Sequence, residues 1–237
     1  MHRFFCKEIG EPGNSVELDT RDQRHLFKTL RARPGDEVEL ANGRGTVAIA
    51  RIDGNNALLI KNREDFPPPA VKIHLFVSPP RRQKMDQLLR QCAETGVWKL
   101  VPILTARSVS QPEDSVLERW DAVLLEACKQ AKNPYHPEVQ PLQPFAKAVA
   151  SCKNMDIYFG APQGTWPPRR MPEAKPLSDI AWFVGPEGGF SPDEESALIA
   201  AGAQALRIGP WVMRVETAAI CGAALLLCCI QKQKETE

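Results

Sequence analysis

The sequence has neither a strong net charge nor a long apolar run. Its 30 lysines and arginines nearly balance 29 aspartates and glutamates, leaving a net charge of +1, whereas a dedicated nucleic-acid-binding domain is usually strongly basic. The longest apolar run, Ala218 to Ile230, falls well short of the roughly 20 residues that span a bilayer. It predicts a buried helix rather than an anchor. The first residues lack the apolar region of a secretion signal, so secretion is not expected.

The chain also lacks paired cysteines. Its seven cysteines are scattered and odd in number, and none shows the C-x-x-C spacing of zinc sites. We therefore expect reduced thiols, a cytoplasmic location and no metal site. A hydrophobic content of 43% over 237 residues is enough for a buried core without cross-links.

Positive charge is present only in local clusters. One cluster comprises Arg21, Arg24, Lys28, Arg31 and Arg33, and another follows the proline pair at 79–80. Taken by charge alone, each cluster is more typical of a solvated helix face than of a binding site.

The pattern of the chain changes at Pro67-Pro68-Pro69, which predicts two domains at residues 1–69 and 70–237. Before this point, alternating residues on both sides of Asn42-Gly43 predict a β-hairpin, and a short helix is expected at His25 to Leu30. After it, strands alternate with helices, as in an α/β domain with a mainly parallel sheet. The expected strands are 71–77, 100–104, 157–159, 180–184 and 206–208, and the expected helices are 85–94, 116–131, 192 to about 202, and 216 onward.

A glycine-rich segment, Gly185-Pro186-Glu187-Gly188-Gly189, directly follows one of these strands. Ligands of open α/β sheets bind beyond the carboxyl ends of the strands, and glycines let the backbone approach a ligand closely. The spacing fits neither the dinucleotide fingerprint nor the phosphate-binding P-loop. The segment by itself is equally consistent with a tight turn and with a ligand cradle.

A second segment runs from Ile208 to Ala218. Arg214 and Glu216 stand just before the apolar helix, where Thr217 is a possible cap. Taken alone, the two charges are more typical of a surface ion pair than of a catalytic site.

The order of these segments resembles the ribosomal RNA small subunit methyltransferase E family of the SPOUT superfamily. The phrases that carry the resemblance are Gly185-Pro186-Glu187-Gly188-Gly189-Phe190-Ser191, Ile208-Gly209 and Val212-Met213-Arg214-x-Glu216-Thr217-Ala218, with Lys84-Met85-Asp86, Arg107-Ser108 and Glu126-Ala127-Cys128-Lys129-Gln130 before them. Two segments depart from the pattern. The family commonly reads Gln-Ser-Gly-Arg where this chain has Gln130-Ala131-Lys132-Asn133, and Trp211 stands where the family often has arginine.

The resemblance implies a small PUA-like β-barrel domain that binds RNA, followed by an α/β methyltransferase domain with a trefoil knot. It implies S-adenosylmethionine as the cofactor, 16S rRNA of the small ribosomal subunit as the partner, N3-methyluridine as the product, and a homodimer formed through the knotted domain. The cofactor-binding residues that it implies are Phe159, Gly160, Gly185, Glu187, Gly188, Gly189, Ile208, Gly209, Val212 and Met213.

Two further sets of residues follow as hypotheses. Arg214 is expected to stabilise a uracil anion, and Glu216 or Glu187 is a candidate proton acceptor. The residues of the basic cluster that we expect to contact rRNA phosphates are Arg21, Arg24, Lys28 and Arg31. Two alternatives stay open: another SPOUT activity, on a different base or on the ribose 2′-oxygen, and a non-catalytic rRNA-binding assembly factor.

Overall fold

The computed structural model describes residues 1–54, 57–165 and 179–234, and these residues form two compact units. The first unit comprises residues Met1–Pro68 together with Leu125–His136, and the second comprises Pro69–Leu124 and Pro137–Glu237. The first unit thus includes a segment, 125–136, that the linear division of the sequence placed in the second domain.

The first unit is built on a curled five-stranded sheet with the order β1-β3-β4-β5-β2. Its elements are β1 (Arg3–Phe5), β2 (Ser15–Val16), α1 (Thr20–Arg24), a π-helical turn (His25–Thr29), β3 (Glu37–Ala41), β4 (Thr46–Ile52) and β5 (Leu58–Asp65). The hairpin predicted at Asn42-Gly43 is confirmed, since β3 and β4 pair antiparallel around it. Asn42 stabilises the turn by accepting hydrogen bonds from the backbone of Arg44 at 2.8 Å and of Thr46 at 3.0 Å.

The helix of the first unit begins five residues earlier than the pattern predicts. Asp19 caps it by accepting a hydrogen bond from the backbone N–H of Asp22 at 2.7 Å. The predicted range, 25–30, corresponds to the π-helical turn, of which only Leu26 is buried. Leu26 joins Phe4, Leu40 and Ile60 in the core of the unit.

The second unit is a seven-stranded sheet with the order β12-β10-β11-β6-β7-β8, and β9 pairs with the end of β7. Its strands are β6 (Ile73–Val77), β7 (Lys99–Leu104), β8 (Glu138–Val139), β9 (Gln143–Pro144), β10 (Asp156–Thr165), β11 (Ile180–Val184) and β12 (Gln204–Leu206). All pairings between the described strands of this sheet are parallel. The α/β class with a mainly parallel sheet is therefore confirmed.

The sequence predicts four of the α-helices associated with this sheet but not the short one at Phe145–Ala150. The helices are α2 (Arg82–Thr95), α3 (Leu117–Ala131), whose last residues from Leu125 belong to the first unit, α4 (Phe145–Ala150), α5 (Pro192–Ala200) and α6 (Val215–Lys234). The last strand lies two residues earlier than predicted, at 204–206, because Leu206 is the buried residue that pairs with β10 while Arg207 is exposed. Among the described helices, none has both the length and the apolar content to cross a membrane.

The centre of the second unit is apolar and aromatic. Phe76 of β6 stacks on Phe183 of β11 with ring centroids 4.4 Å apart. Both strands are buried along their whole length, which is typical of a parallel sheet covered on both faces. This rigid centre fixes the positions of the loops that leave its carboxyl edge.

Candidate functional site

A cavity of about 450 Å³ opens at the carboxyl edge of the parallel sheet. Three segments form most of its wall: residues 160–162 in the middle of β10, residues 184–190 from the last residue of β11 onward, and residues 206–213 from the last residue of β12 onward. Val215 and Ala218 at the start of α6 also line the cavity, as do Arg107 in the loop after β7 and Glu195 in α5. The strands β12, β10 and β11 are neighbours and parallel, so the three segments meet at one end of the sheet, which is where α/β folds place their ligands.

The glycine-rich loop after β11 is tightly folded. Gly189 has φ +69°, and its N–H donates to the carbonyl of Pro186 at 2.8 Å. A Cβ added at Gly185 would lie 3.1 Å from the backbone nitrogen of Phe190, so a larger residue would push the loop open. The loop ends at Ser191, which forms the predicted capping box with Glu194.

Arg107 and Glu194 tie this loop to the loop that follows β7. The guanidinium of Arg107 donates to the carbonyl of Gly188 at 2.7 Å and to that of Phe190 at 3.2 Å. The carboxylate of Glu194 accepts from the backbone N–H of Ala106 at 2.7 Å and from that of Ser191 at 2.8 Å. Sequence patterns gave no sign of these ties, although both residues stand inside segments that carry the family resemblance or the capping box.

The loop after β12 is held in a similar way. Arg207 donates to the carbonyls of Gly209 at 3.2 Å and Pro210 at 3.1 Å. A Cβ at Gly209 would come within 2.6 Å of the Cε atom of Met213, so this glycine lets Met213 close against the loop. Beside them Trp211 is 84% exposed and Val212 is 81% exposed, an unusual degree of exposure for two adjacent apolar side chains.

The residues predicted to bind the cofactor lie together, with one exception. All except Phe159 line this cavity. Phe159 is buried and packs edge-on against Phe190, with ring centroids 6.3 Å apart, so it supports the wall from behind. Their assignment to a cofactor stays a prediction.

The two predicted catalytic residues lie beside the cavity rather than on its wall. Their neighbours Met213 and Val215 line it. Glu216 is buried and its carboxylate forms an ion pair with Lys84 of α2 at 3.1 Å. Arg214 is exposed and makes no ion pair with any residue that the structure describes.

The predicted RNA-binding residues are all exposed on the first unit. Arg21 and Arg24 line a polar cavity of about 430 Å³, whereas Lys28 and Arg31 lie outside it. The acidic groups there are already engaged: Asp22 and Glu126 pair with Lys129 at 3.4 and 3.0 Å. Within the described part of the chain Arg21 and Arg24 have no ionic partner, so their charge is available to a ligand.

Comparison with known proteins decides the family. An RNA methyltransferase domain family matches residues 67–227, and an RNA methyltransferase PUA domain family matches residues 18–61. The chain belongs to the RNA methyltransferase family. Its PUA-like first unit and α/β methyltransferase unit are therefore confirmed, while the trefoil knot stays a prediction, since strand order alone does not trace the threading of the chain.

Relatives of this RNA methyltransferase match most of its length. The protein named ribosomal RNA small subunit methyltransferase E from Aquifex aeolicus is 28% identical over 235 residues, covering 96% of this chain and 99% of that protein. The protein of the same name from Synechocystis is also 28% identical, over 86% of this chain and 70% of that protein. The predicted resemblance to this family is thus confirmed.

Solved structures of methyltransferases have the same fold as this chain. The ribosomal RNA small subunit methyltransferase E of Neisseria gonorrhoeae, bound to S-adenosylmethionine, superposes with a TM-score of 0.82 at 26% identity over 96% of this chain and 97% of that one. A methyltransferase from Legionella pneumophila, solved with the same cofactor, superposes with a TM-score of 0.81 at 26% identity over 95% of this chain and 96% of that one.

Proposed function

We propose that this protein uses S-adenosylmethionine to methylate N3 of a uridine in the 16S rRNA of the small ribosomal subunit. The observation that carries the proposal is the cavity at the carboxyl edge of the sheet, walled by three glycine-containing segments, in a chain of the RNA methyltransferase family. The relatives that bear the small-subunit methyltransferase E name support the choice of rRNA.

The residues of the cavity fit the cofactor. Its volume of about 450 Å³ is within the range of small-molecule sites, which are mostly apolar with a few polar groups. Leu206, Ile208 and Met213 offer apolar walls for an adenine, and the carboxylates of Glu187 and Glu195 offer charge complementary to a sulfonium and an ammonium. Glycine keeps the two loops in this conformation, because a Cβ at Gly185 would meet the backbone nitrogen of Phe190 at 3.1 Å and a Cβ at Gly209 would meet the Cε atom of Met213 at 2.6 Å.

When bound, S-adenosylmethionine supplies an electrophilic methyl group on its sulfonium sulfur. The protein must then favour the uracil anion, because N3 keeps its proton at neutral pH. We assign this task to Arg214, whose guanidinium is exposed beside the cavity and available to carbonyl oxygens that gain charge. The remaining rate enhancement comes from positioning the base next to the methyl group.

Glu216 is better suited to positioning than to accepting the proton. Its carboxylate is buried and already paired with Lys84 at 3.1 Å, and Glu216 does not line the cavity in which we propose that the cofactor binds. We therefore assign Glu216 the role of positioning Lys84. The proton that leaves N3 of the uracil is accepted by Glu187, which is exposed on the cavity wall, or by water.

The first unit is assigned to RNA. Arg21 and Arg24 bring unpaired positive charge to the polar cavity of the PUA-like unit, and Lys28 and Arg31 are exposed close by in the sequence, which suits contacts to phosphates. We also propose that two copies of the chain pair through their methyltransferase units, where the exposed Trp211 and Val212 supply apolar surface.

One assay tests the proposal. Purified protein is incubated with labelled S-adenosylmethionine and either 30S subunits or naked 16S rRNA from cells that lack the enzyme, and the nucleosides are then separated. We expect label in N3-methyluridine, and a fall of about 100-fold or more for Arg214→Ala, the usual effect of removing an anion-stabilising donor. The control is Arg90→Ala, on the exposed side of α2. Label in a different nucleoside, or none while the cofactor still binds in calorimetry, would refute the assignment.

A further inference from the structure

A second cavity, of about 370 Å³, lies in the methyltransferase unit between the beginnings of α2 and α3. The proline pair that follows β6, Pro79-Pro80, forms one side, and Ser110 and Pro112 in the connection after β7 form another. Because β6 and β7 are parallel to β11, this cavity opens at the same edge of the sheet as the proposed cofactor site.

The walls combine flat apolar surface with hydrogen-bonding groups. Trp120 and Met85 provide buried apolar contact, while Arg82 and Arg119 bring guanidinium groups to the rim. Arg119 is held by Asp86, with both carboxylate oxygens within 2.7 Å of Nη1. Unstacked bases of RNA are recognised by this combination, in which planar or apolar side chains cover the ring and polar groups read its edge. The volume exceeds what a single pyrimidine needs, leaving room for part of its ribose.

Hydrogen bonds hold the loops after β6 and β7, which form these walls, to each other and to the end of β11. The hydroxyl of Ser78 lies 2.9 Å from that of Ser108, which in turn lies 2.9 Å from the hydroxyl of Thr105. Ser78 also donates its N–H to the carbonyl of Val184 at 3.0 Å, at the end of β11. The ends of β6, β7 and β11 are therefore linked by hydrogen bonds, and such a supported site needs little rearrangement to accept a ligand.

The Lys84–Glu216 ion pair lies next to residues that line each of the two cavities. Arg82 and Met85 in the first turn of α2 line the second cavity, and Lys84 between them reaches Glu216 at 3.1 Å. Glu216 itself lies between Val215 and Ala218, which line the first cavity. The first turn of α6, which directly follows Arg214, is therefore next to both cavities.

We propose that the second cavity binds the pyrimidine that accepts the methyl group, after that base has left its RNA stack. Val116 and Trp120 face the ring, and Arg82 contacts the ribose or its phosphate. This inference rests on the function proposed above, because it supplies the place of the acceptor for the same reaction.

Two variants test it. Val116→Trp fills the cavity from its half-buried wall, and Arg82→Gln removes an exposed charge from its rim. We expect the first to lower kcat/KM for 30S subunits by about 100-fold or more and the second to lower it by about tenfold, the latter corresponding to one lost charged hydrogen bond. The Kd for S-adenosylmethionine, measured by calorimetry, should not change for either. Matched controls are Glu118→Trp on the exposed side of α3 and Arg90→Gln on α2, both expected to keep wild-type kinetics.

Photo-crosslinking gives an independent readout. With 30S subunits reconstituted from 16S rRNA that contains 4-thiouridine, crosslinks should map to peptides 79–85 or 110–120 and should disappear in Val116→Trp. If Val116→Trp does not bind the cofactor, the substitution has disturbed the fold. The kinetics of Arg82→Gln and the crosslinks of the wild type then test whether the second cavity binds the base. Wild-type kcat/KM in the variants, or crosslinks only elsewhere, would overturn this inference and leave the proposed function intact. A wild-type protein that transfers no methyl group to RNA would overturn both.

Discussion

Arg107 holds the glycine-rich loop through its guanidinium group. It donates to two carbonyls, those of Gly188 and Phe190, that lie far from it in the sequence. Without it, a loop that contains Gly185, Gly188 and Gly189 would have many backbone conformations to lose on binding a ligand. We infer that Arg107 is a positioning residue for the cofactor loop.

This role predicts a specific binding defect for Arg107→Met, which keeps the apolar stem but removes the donors. Hydrogen bonds that involve a charged group contribute about 1.5–3 kcal/mol, so the affinity for S-adenosylmethionine should fall by roughly 10- to 100-fold, as measured by calorimetry. Lys153→Met, at an exposed position of the same unit, is the control. Wild-type affinity in Arg107→Met would mean that the loop holds its shape without the guanidinium.

Lys132 shows what a departure from the family pattern means physically. It has φ +58°, a left-handed conformation that is easy for glycine and unfavourable for most other residues. It stands at the glycine of the pattern Gln-Ser-Gly-Arg, so the backbone conformation is explained although the side chain differs. The ammonium of Lys132 pairs with Glu39 at 2.6 Å, a contact that offsets part of the strain.

At the scale of elements, the sequence predicts best where a local signal marks an end. The range of β11 matches residue for residue, α5 begins where its capping box places it, and α2 ends at Gly96, which has φ +78°. The strands β1, β2, β8 and β9 are only two or three residues long, too short to show periodicity. They exist because of pairings with distant strands, which no local pattern records.

The candidate site likewise has features that the sequence predicts and features that it does not. The three loops were predictable because their order along the chain resembles a known family, and they do meet at one cavity. The ties made by Arg107 and Glu194 were not, because each joins loops whose proximity only the folded sheet creates. The burial of Glu216 against Lys84 likewise depends on how α6 packs on α2.

The packing of α6 on β11 gives a prediction in which helix propensity and packing oppose each other. Gly222 lies in α6, and a Cβ there would come within 2.3 Å of the Trp182 ring, which also donates its indole N–H to the carbonyl of Ala219 at 3.1 Å. Alanine is favoured over glycine in a helix by about 1 kcal/mol, but overpacking a core costs about 1–3 kcal/mol. We expect Gly222→Ala to lower the free energy of unfolding, measured in urea.

A double-mutant cycle separates the two effects. Trp182→Phe removes the part of the ring that the new methyl group would meet. In that background Gly222→Ala should cost less than in the wild type, or even stabilise the protein. Equal costs in both backgrounds would show that contact with Trp182 is not the reason for the glycine.

At the scale of the whole molecule, acid should destabilise the first unit through Glu39. Burial would by itself raise the pKa of Glu39, but hydrogen bonds and charge from Arg3 and Lys132 outweigh it and hold the pKa below its usual value of 4.5. A carboxylate whose pKa is lower in the folded state stabilises that state above the unfolded pKa. This contribution is lost as the pH falls through the folded value.

The measurement is the free energy of unfolding against pH for the wild type and for Glu39→Gln. The variant should be less stable at neutral pH, because Arg3 loses its charged partner, and the difference should shrink as the pH falls below about 4.5, the usual carboxyl range. A difference that stays constant down to the lowest pH would contradict the ion pair as its source.

RNA binding also depends on the charge of the whole molecule. A net charge of +1 gives little long-range attraction to RNA, so we expect local clusters of positive charge to provide the attraction. Each phosphate contact to single-stranded RNA adds about 0.7 to the slope of log K against log salt concentration. Replacing Arg21, Arg24 and Lys28 together with glutamine should therefore make the slope shallower by about 2, as measured by anisotropy with a 16S rRNA fragment. The triple variant of Arg90, Lys147 and Lys153, all exposed on the methyltransferase unit, removes the same net charge. An equal loss of slope in both variants would mean that RNA responds to the total charge of the protein and not to the surface of the PUA-like unit.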